Sequence, residues 1–316
     1  MVNKRWITLT EHILKEERNI PLATGKLTLI LNQIAEASKI IASHVKNSGL
    51  VNIEGKTGEK NIYKEEVQKL DSFSNNLFVD LLTEIGFVNM IASEELERPI
   101  FLNNKGEYSI FFDPLDGSSN IDTNISIGSI FSIYKNKDNK LQKGASQVAA
   151  GYILYGSSVM FVYTCNASVN GFTLDPSIGS YLLSHPNIKT PEETFEYSIN
   201  EGNFNLYDEK IKNYLKILKE KPYKIRYVAS MVADIHRILL KGGIFLYPSD
   251  FKQPNGKLRL MFEVNPMSLI IERAGGKAYS KNQNPLDIQP TDVHQRVPII
   301  MGSKSEVEKF INLQHN

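Results

Sequence analysis

Asp113-Pro114-Leu115-Asp116-Gly117-Ser118-Ser119-Asn120 is the most specific stretch of this 316-residue sequence. It follows Tyr108–Phe112 (YSIFF), an apolar and aromatic run that reads as a buried strand. Asp113 precedes a proline, which biases it toward extended backbone, and the strand is expected to close there. Two aspartates three positions apart then stand at the strand's end, with Pro114 stiffening the turn between them. Their carboxylates and the intervening Leu115 carbonyl can face one point, and hard divalent cations such as Mg²⁺ take oxygen ligands at roughly 2.0–2.1 Å. Gly117 and Ser118 come next, at what reads as a helix N-terminus, where free backbone N–H groups favour a phosphate. An Asx turn capping a helix would explain an isolated Asp-x-x-Asp-Gly. The full octet is much more specific for metal and phosphate.

Other acids gain meaning only in company. Glu94-Glu95 follow the strand-like run Phe87–Ser93, and adjacent glutamates after a strand ordinarily face solvent. Asp71, after Gln68-Lys69-Leu70, is equally plain by itself. Glu263 differs, because it lies inside Phe262-Glu263-Val264-Asn265-Pro266-Met267. A carboxylate in an apolar segment is costly unless a basic residue pairs with it or a metal binds it.

Around these motifs the chain alternates helices and strands. Leu27, Leu31, Ile34, Ser38, Ile41 and Val45 form one apolar stripe on a long helix, with Thr24 as N-cap and Gly49 as stop. Val51–Glu66 is polar, carries Gly55 and Gly58, and reads as an exposed mobile loop before a helix over Leu70–Ile85. Ile125–Tyr134, Val148–Tyr155, Val159–Thr164 and Val169–Leu174 read as successive strands. Pro186 and Pro191 mark a domain boundary within Ser184–Thr194, dividing residues 1–190 from 191–316. Beyond it come helices at Asp208–Lys219 and Met231–Lys241, a strand at Ile244–Tyr247, and a helix at Leu260–Ala274 that Pro266 must begin or kink. A strand at Pro298–Gly302 and a helix at Ser305–Leu313 complete the chain. The pattern predicts a mixed α/β protein of stacked layers.

Composition excludes several classes. Thirty-six basic and 35 acidic residues leave a formal net charge of +1, so nothing favours nucleic acid or an anionic membrane as partner. No stretch approaches the ~20 apolar residues needed to span a bilayer, and the charged N-terminus lacks a signal peptide's apolar core. A reducing, cytoplasmic setting is expected. The single cysteine, Cys165, follows an apolar strand and reads as a buried, inert thiol. The six histidines show no metal-binding spacing, and none is assigned a catalytic role.

The octet, Ala92-Ser93-Glu94-Glu95, Ser198-Ile199-Asn200-Glu201-Gly202, Arg226-Tyr227-Val228 and Lys257-Leu258-Arg259-Leu260 occur in an order and spacing that resembles class I fructose-1,6-bisphosphatases, closest to their bacterial branch. Thr24–Thr28 (TGKLT) and Thr291–Arg296 (TDVHQR) also look like that family, so the resemblance covers nearly the whole chain. It implies a layered αβαβα sandwich of two domains, assembled as an allosteric homotetramer, hydrolysing D-fructose 1,6-bisphosphate in gluconeogenesis. It implies metal ligands Glu94, Asp113, the Leu115 carbonyl, Asp116 and Glu263 for Mg²⁺, with Mn²⁺ as an alternative. Asp71 and Glu95 match the acids that orient and deprotonate the attacking water.

The resemblance places the 1-phosphate on the metals and on Gly117, Ser118 and Ser119. Asn200, Tyr227, Tyr247 and Lys257 match positions for the sugar and 6-phosphate, and Arg226 matches an arginine lent by a neighbouring subunit. Asn203 departs from a tyrosine common in the family. An AMP site is implied at Thr24, Gly25, Lys26, Leu27, Thr28, Tyr108 and Lys135. There Lys26 replaces glutamate, Glu107 replaces lysine and Lys135 replaces arginine; an acid at 107 would repel a nucleotide phosphate, and Lys26 would offset part of that. Two other functions fit the motifs: a sister phosphatase acting on inositol phosphates or sedoheptulose bisphosphate, and a non-catalytic metabolite-binding regulator. The basic pocket argues against a monophosphate enzyme, and the intact ligand set against a regulator.

Overall fold

The computed structural model describes residues 6–18, 24–47, 62–102 and 106–315, with the backbone alone for 62–69 and 314–315. Three helices open the chain: α1 (Leu9–Glu17), α2 (Lys26–Asn47) and α3 (Ile62–Thr83). The Thr8 hydroxyl caps α1 by accepting from the Glu11 N–H at 3.2 Å. On α2 the expected stripe is the buried face: Leu31, Ile34, Ser38 and Ile41 are sealed, and Leu27 and Val45 pack at its ends. The Leu29 N–H bonds the Gly25 carbonyl at 3.1 Å, so Gly25 rather than Thr24 is the N-cap residue. α3 starts at Ile62, so the expected loop to Glu66 is helical over its last residues, where Lys64, Glu65 and Glu66 are good helix formers. The rest of that loop and the Gly49 stop lie outside the described residues.

Eight strands follow: β1 (Val88–Ser93), β2 (Ile100–Phe101), β3 (Tyr108–Asp116), β4 (Ile127–Lys135), β5 (Gln147–Tyr155), β6 (Val159–Thr164), β7 (Asn170–Asp175) and β8 (Ser180–His185). They form one sheet in the order β2-β1-β3-β4-β5-β6-β7-β8, parallel only between β1 and β3. All nine residues of β3 are buried, as are eight of nine in β4. Burial on both faces explains why these strands read as continuous apolar runs instead of alternating.

The remaining chain supplies α4 (Glu209–Lys219), α5 (Met231–Lys241), α6 (Asn265–Arg273) and α7 (Lys304–His315). It also supplies a second sheet of β9 (Glu196–Ser198), β10 (Lys224–Ile225), β11 (Ile244–Tyr247), β12 (Lys277–Tyr279) and β13 (Ile299–Gly302), in the order β10-β9-β11-β13-β12. α1, α2 and α3 cover one face of the first sheet. α5 and α6 lie between the two sheets, and α7 packs on the outer face of the second beside α4. The architecture is therefore an αβαβα sandwich. Separate apolar clusters fill the layers, with Ile130, Tyr152, Val232, Ile235, Phe245 and Ile270 among those sealing the middle one.

Two expectations fail locally. β3 does not close at Asp113-Pro114 but runs on to Asp116 through an irregularity opposite β4. The helix expected over Leu260–Ala274 is two segments: a π turn, Leu260–Val264, precedes α6, and Pro266 sits at the second position of α6, where no helical N–H is lost. Strands β2, β8, β9, β10 and β12 were not foreseen; most have two or three residues, too few to show a period. Cys165 is free and half-buried, and burial raises its thiol to about 11, well short of nucleophilic character at neutral pH.

His236 on α5 accepts or donates one hydrogen bond, at 2.8 Å between Nδ1 and the Tyr152 hydroxyl. Burial, with His185 nearby, pushes its pKa down to about 4. An unfolded histidine titrates near 6.5, so below that pH the unfolded chain takes up a proton that the fold refuses. This contribution to stability is whole above about pH 6.5 and is lost as pH falls toward 4, by roughly 3 kcal/mol in total. Urea midpoints should fall less between pH 7 and pH 5 for His236→Gln than for the parent protein; an unchanged pH slope would contradict the assignment.

Candidate active site

In a regular strand, residues three apart point to opposite faces. Asp113 and Asp116 are three apart, and the fold brings them together with a β-bulge. Asp113 pairs with Ile130 and Asp116 with Gly128, so Pro114 and Leu115 together oppose the single residue Ser129. Proline has no N–H to lose from the ladder, which suits it to this place. Its carbonyl accepts the Ser129 hydroxyl at 2.7 Å, and that hydroxyl also meets the Tyr155 hydroxyl at 2.9 Å. The Leu115 N–H turns to Asp113 Oδ1 at 3.0 Å. The two carboxylates consequently share one side.

Asp116 is seated on the N-terminus of α5. The N-cap Ser230 donates its hydroxyl to Asp116 Oδ2 at 2.6 Å, and the Val232 N–H reaches the same oxygen at 2.9 Å. Gly117, with φ +76°, follows in left-handed backbone; a Cβ there would lie 2.7 Å from the Ser230 Cβ. Only glycine meets both demands. The expected helix after it is a single 3₁₀ turn, Ser118–Asn120. Glu263 arrives on the π turn, its Oε2 accepting the Arg259 N–H at 2.6 Å.

Asp113, Asp116 and Glu263 are all buried, and carboxylate oxygens of the three lie within 4.8 Å of one another. At that separation two unit charges repel by about 3.5 kcal/mol for an effective dielectric of about 20. Burial, then the charges of Asp116 and Glu263, push Asp113 well above the usual carboxylate range. Burial also raises Asp116, against the opposing Ser230 and α5 hydrogen bonds, and raises Glu263 to about 7. An all-oxygen, anionic donor set under this strain fits a hard divalent cation.

The triad forms one wall of a cavity of about 330 Å³. Glu94, Glu95, Leu115, Gly117, Ser118 and Ser119 line the same cavity, as do Tyr227, Tyr247, Lys257, Arg259 and Arg296. Residues 7–186 match the model of the fructose-1-6-bisphosphatase N-terminal domain, and residues 190–315 that of its C-terminal domain. The chain is 52% identical over 315 residues to the class 1 fructose-1,6-bisphosphatase of Sulfurihydrogenibium sp. (strain YO3AOP1), covering 98% of each chain. It is 51% identical to that of Persephonella marina, again over 98% of each. A crystal structure of Leishmania major fructose-1,6-bisphosphatase in holo form superposes with a TM-score of 0.90 at 40% identity, covering 99% of this chain and 100% of that one.

This chain belongs to the fructose-1,6-bisphosphatase family.

Within that family frame, the predicted site residues do not all stand at one point. Asp113, Asp116 and Glu263 form the cluster, with Leu115 beside them. Glu94, though in the cavity, stands apart from the triad in an ion pair with Arg259, and Glu95 is exposed at the rim. Asp71 approaches from α3; burial and the Glu95 charge raise it to about 6, with the Ser118 hydroxyl opposing. Asn200 stands outside the cavity wall, capping a 3₁₀ turn through the Gly202 N–H at 3.0 Å and hydrogen-bonding Tyr227. Arg226 is exposed, away from its own chain's cavity, with its Nε 3.9 Å from Glu196.

The residues of the implied nucleotide site form a network of their own. Lys26 and Lys135 both bond Glu107, the latter at 3.2 Å, and Lys135 also reaches the Tyr108 hydroxyl at 2.9 Å. Those two lysines hold Glu107 below the usual carboxylate range. The three departures from the family pattern therefore satisfy one another. Sequence reasoning missed Arg259 and Ser230 as site residues. Arg259 lies four positions before Glu263 within a quoted motif, and Ser230 precedes a clear helix, so both signals were present.

Neutralising one acid should relieve the repulsion while emptying the site of affinity. Asp113→Asn keeps the acceptor for the Leu115 N–H. It should raise the Tm of chelator-treated protein at pH 8 and abolish the rise in Tm that Mg²⁺ or Mn²⁺ gives the parent protein. A variant still stabilised by either ion as the parent is would contradict the placement.

Proposed function

We propose that this chain hydrolyses D-fructose 1,6-bisphosphate to D-fructose 6-phosphate and phosphate, the reaction that its curated relatives are named for. One observation carries the reading: a single cavity is lined both by three crowded carboxylates and by a cationic and aromatic set, Tyr227, Tyr247, Lys257, Arg259 and Arg296. A bisphosphate uses both sets; a monophosphate would leave the second unpaired.

In this reading Glu94, Asp113, the Leu115 carbonyl, Asp116 and Glu263 would hold Mg²⁺, or Mn²⁺ in its place. Bound cations neutralise a phosphate dianion, lower the pKa of a water and stabilise the leaving alkoxide. Asp71 and Glu95 orient the attacking water and accept its proton. A carboxylate near pKa 6 is mostly ionised at pH 7.5 yet basic enough for that task. The Gly117–Ser119 backbone receives the 1-phosphate as the water oxygen bonds phosphorus and the ester oxygen departs with C1 of the sugar. Asn200, Tyr227, Tyr247 and Lys257 hold the 6-phosphate and sugar.

Arg226 completes that site from a second copy of the chain within a homotetramer. Its exposure beside the exposed apolar side chains Phe195 and Ile225 supports an interface there. A domain boundary at 190/191 belongs to the same reading, since the two sheets fall on either side of it. So does a cytoplasmic setting; no helix among the described residues is long and apolar enough to cross a membrane. At the nucleotide site an arriving AMP phosphate must displace Glu107 from two lysines, so inhibition is weak.

Phosphate release from fructose 1,6-bisphosphate, sedoheptulose 1,7-bisphosphate and inositol monophosphate, with and without Mg²⁺ or Mn²⁺, tests the proposal. Fructose 1,6-bisphosphate should be the fastest substrate, and only with a divalent ion. Asp116→Asn should abolish release without unfolding the protein, Arg226→Ala should raise KM, and Glu107→Gln should strengthen AMP inhibition. Faster inositol monophosphate turnover would favour the sister enzyme; no release from any substrate would favour a regulator.

A further inference from the structure

Tyr227 reaches the cavity from a turn that no ladder or helix holds. β10 ends at Ile225, the Arg226 N–H still bonds the Tyr197 carbonyl at 2.8 Å, and α5 begins only at Met231. Within that gap Ala229 has φ +64°, a left-handed conformation that a residue with a Cβ adopts at a cost. Such backbone persists where its surroundings over-determine it.

The surroundings here are two side chains from distant parts of the chain. The Val228 N–H donates to Asp234 Oδ1 at 3.0 Å, and the Val228 carbonyl accepts from Asn120 Nδ2 at 3.1 Å. The Ala229 N–H also faces the Asp234 carboxylate. Asp234 is 3% exposed and Asn120 9%. A buried carboxylate is costly unless it accepts hydrogen bonds, and Asp234 spends Oδ1 on the turn. The octet and the 226–234 segment are thus tied by Asp116 to Ser230, Met231 and Val232 and by Asn120 to Val228.

We propose that Asn120 and Asp234 are positioning residues that hold Val228 by its carbonyl and its N–H and thereby fix Tyr227 in its place in the cavity wall. This rests on the reading above, in which Tyr227 contacts the sugar phosphate. Asn120 is not part of the cavity lining; Asp234 is, but its Oδ1 is committed to the Val228 N–H. The effect of this clamp appears as affinity for the sugar phosphate, and it passes through Tyr227.

A double-mutant cycle on the full-length protein tests it. Asp234→Ala should raise KM for fructose 1,6-bisphosphate by about tenfold, the size of a lost hydrogen bond to a charged group, with kcat changed far less. In a Tyr227→Phe background the same change should add little, and Asp234→Asn, which keeps an acceptor, should restore most of the affinity. If Asp234→Ala does not fold, Asn120→Ala gives the same cycle. Equal effects in both backgrounds, or a fall in kcat at constant KM, would mean general damage to α5 and its hold on Asp116, and would overturn the clamp. Calorimetric binding of fructose 6-phosphate separates the two claims. Wild-type protein that binds it without releasing phosphate from the bisphosphate refutes the hydrolase reading, and the cycle is then read on binding alone.

Discussion

Charge repulsion among three buried carboxylates is the constraint around which this molecule is built. Water would separate Asp113, Asp116 and Glu263 readily, yet the fold holds their oxygens within 4.8 Å. Each is held by a different device: a bulge with Pro114 at its centre, the N-terminus of α5, and a π turn. The bulge and the π turn are not the most stable forms of their elements. Such irregularities recur at functional sites because they re-aim side chains at a local cost. Here they and the α5 N-terminus converge on one point.

The layered architecture makes that convergence affordable. α5 and α6 are packed between the two sheets, so the α5 N-terminus is fixed against β4 and β5 while its side chains face the second sheet. The positive end of the helix dipole meets Asp116, which lowers the cost of the charge where burial raises it. The same placement brings Tyr247 from β11 and Lys257 beyond it into the wall of the same cavity. Asp113 and Asp116 come from the first half of the chain, and Glu263 comes from the second with the cationic and aromatic lining. The cavity exists only where the halves meet.

Much of this was legible in the sequence, for reasons specific to particular residues. The α2 stripe, the long strands and α5 obey simple periods because each buries a broad face. The octet announced a cation and phosphate site through its chemistry. What escaped prediction was geometry without a compositional mark. Nothing in Asp113-Pro114-Leu115-Asp116 says that β3 continues through the proline, since that depends on Ser129 lying opposite and taking the Pro114 carbonyl. The π turn is likewise set by tertiary packing of Phe262 and Met261 against Phe111 and Tyr134. Lys26, Glu107 and Lys135 looked like separate departures from a family pattern, and only their proximity shows one self-neutralising network.

The central claim is that the crowded acids form a cation site and not a chance cluster. Anomalous diffraction from crystals grown with Mn²⁺ tests it most directly. A peak at inner-sphere distance from carboxylate oxygens of Asp113, Asp116 and Glu263 together is the predicted result. Anomalous density elsewhere, with these three side chains splayed apart or occupied by water alone, would contradict the account.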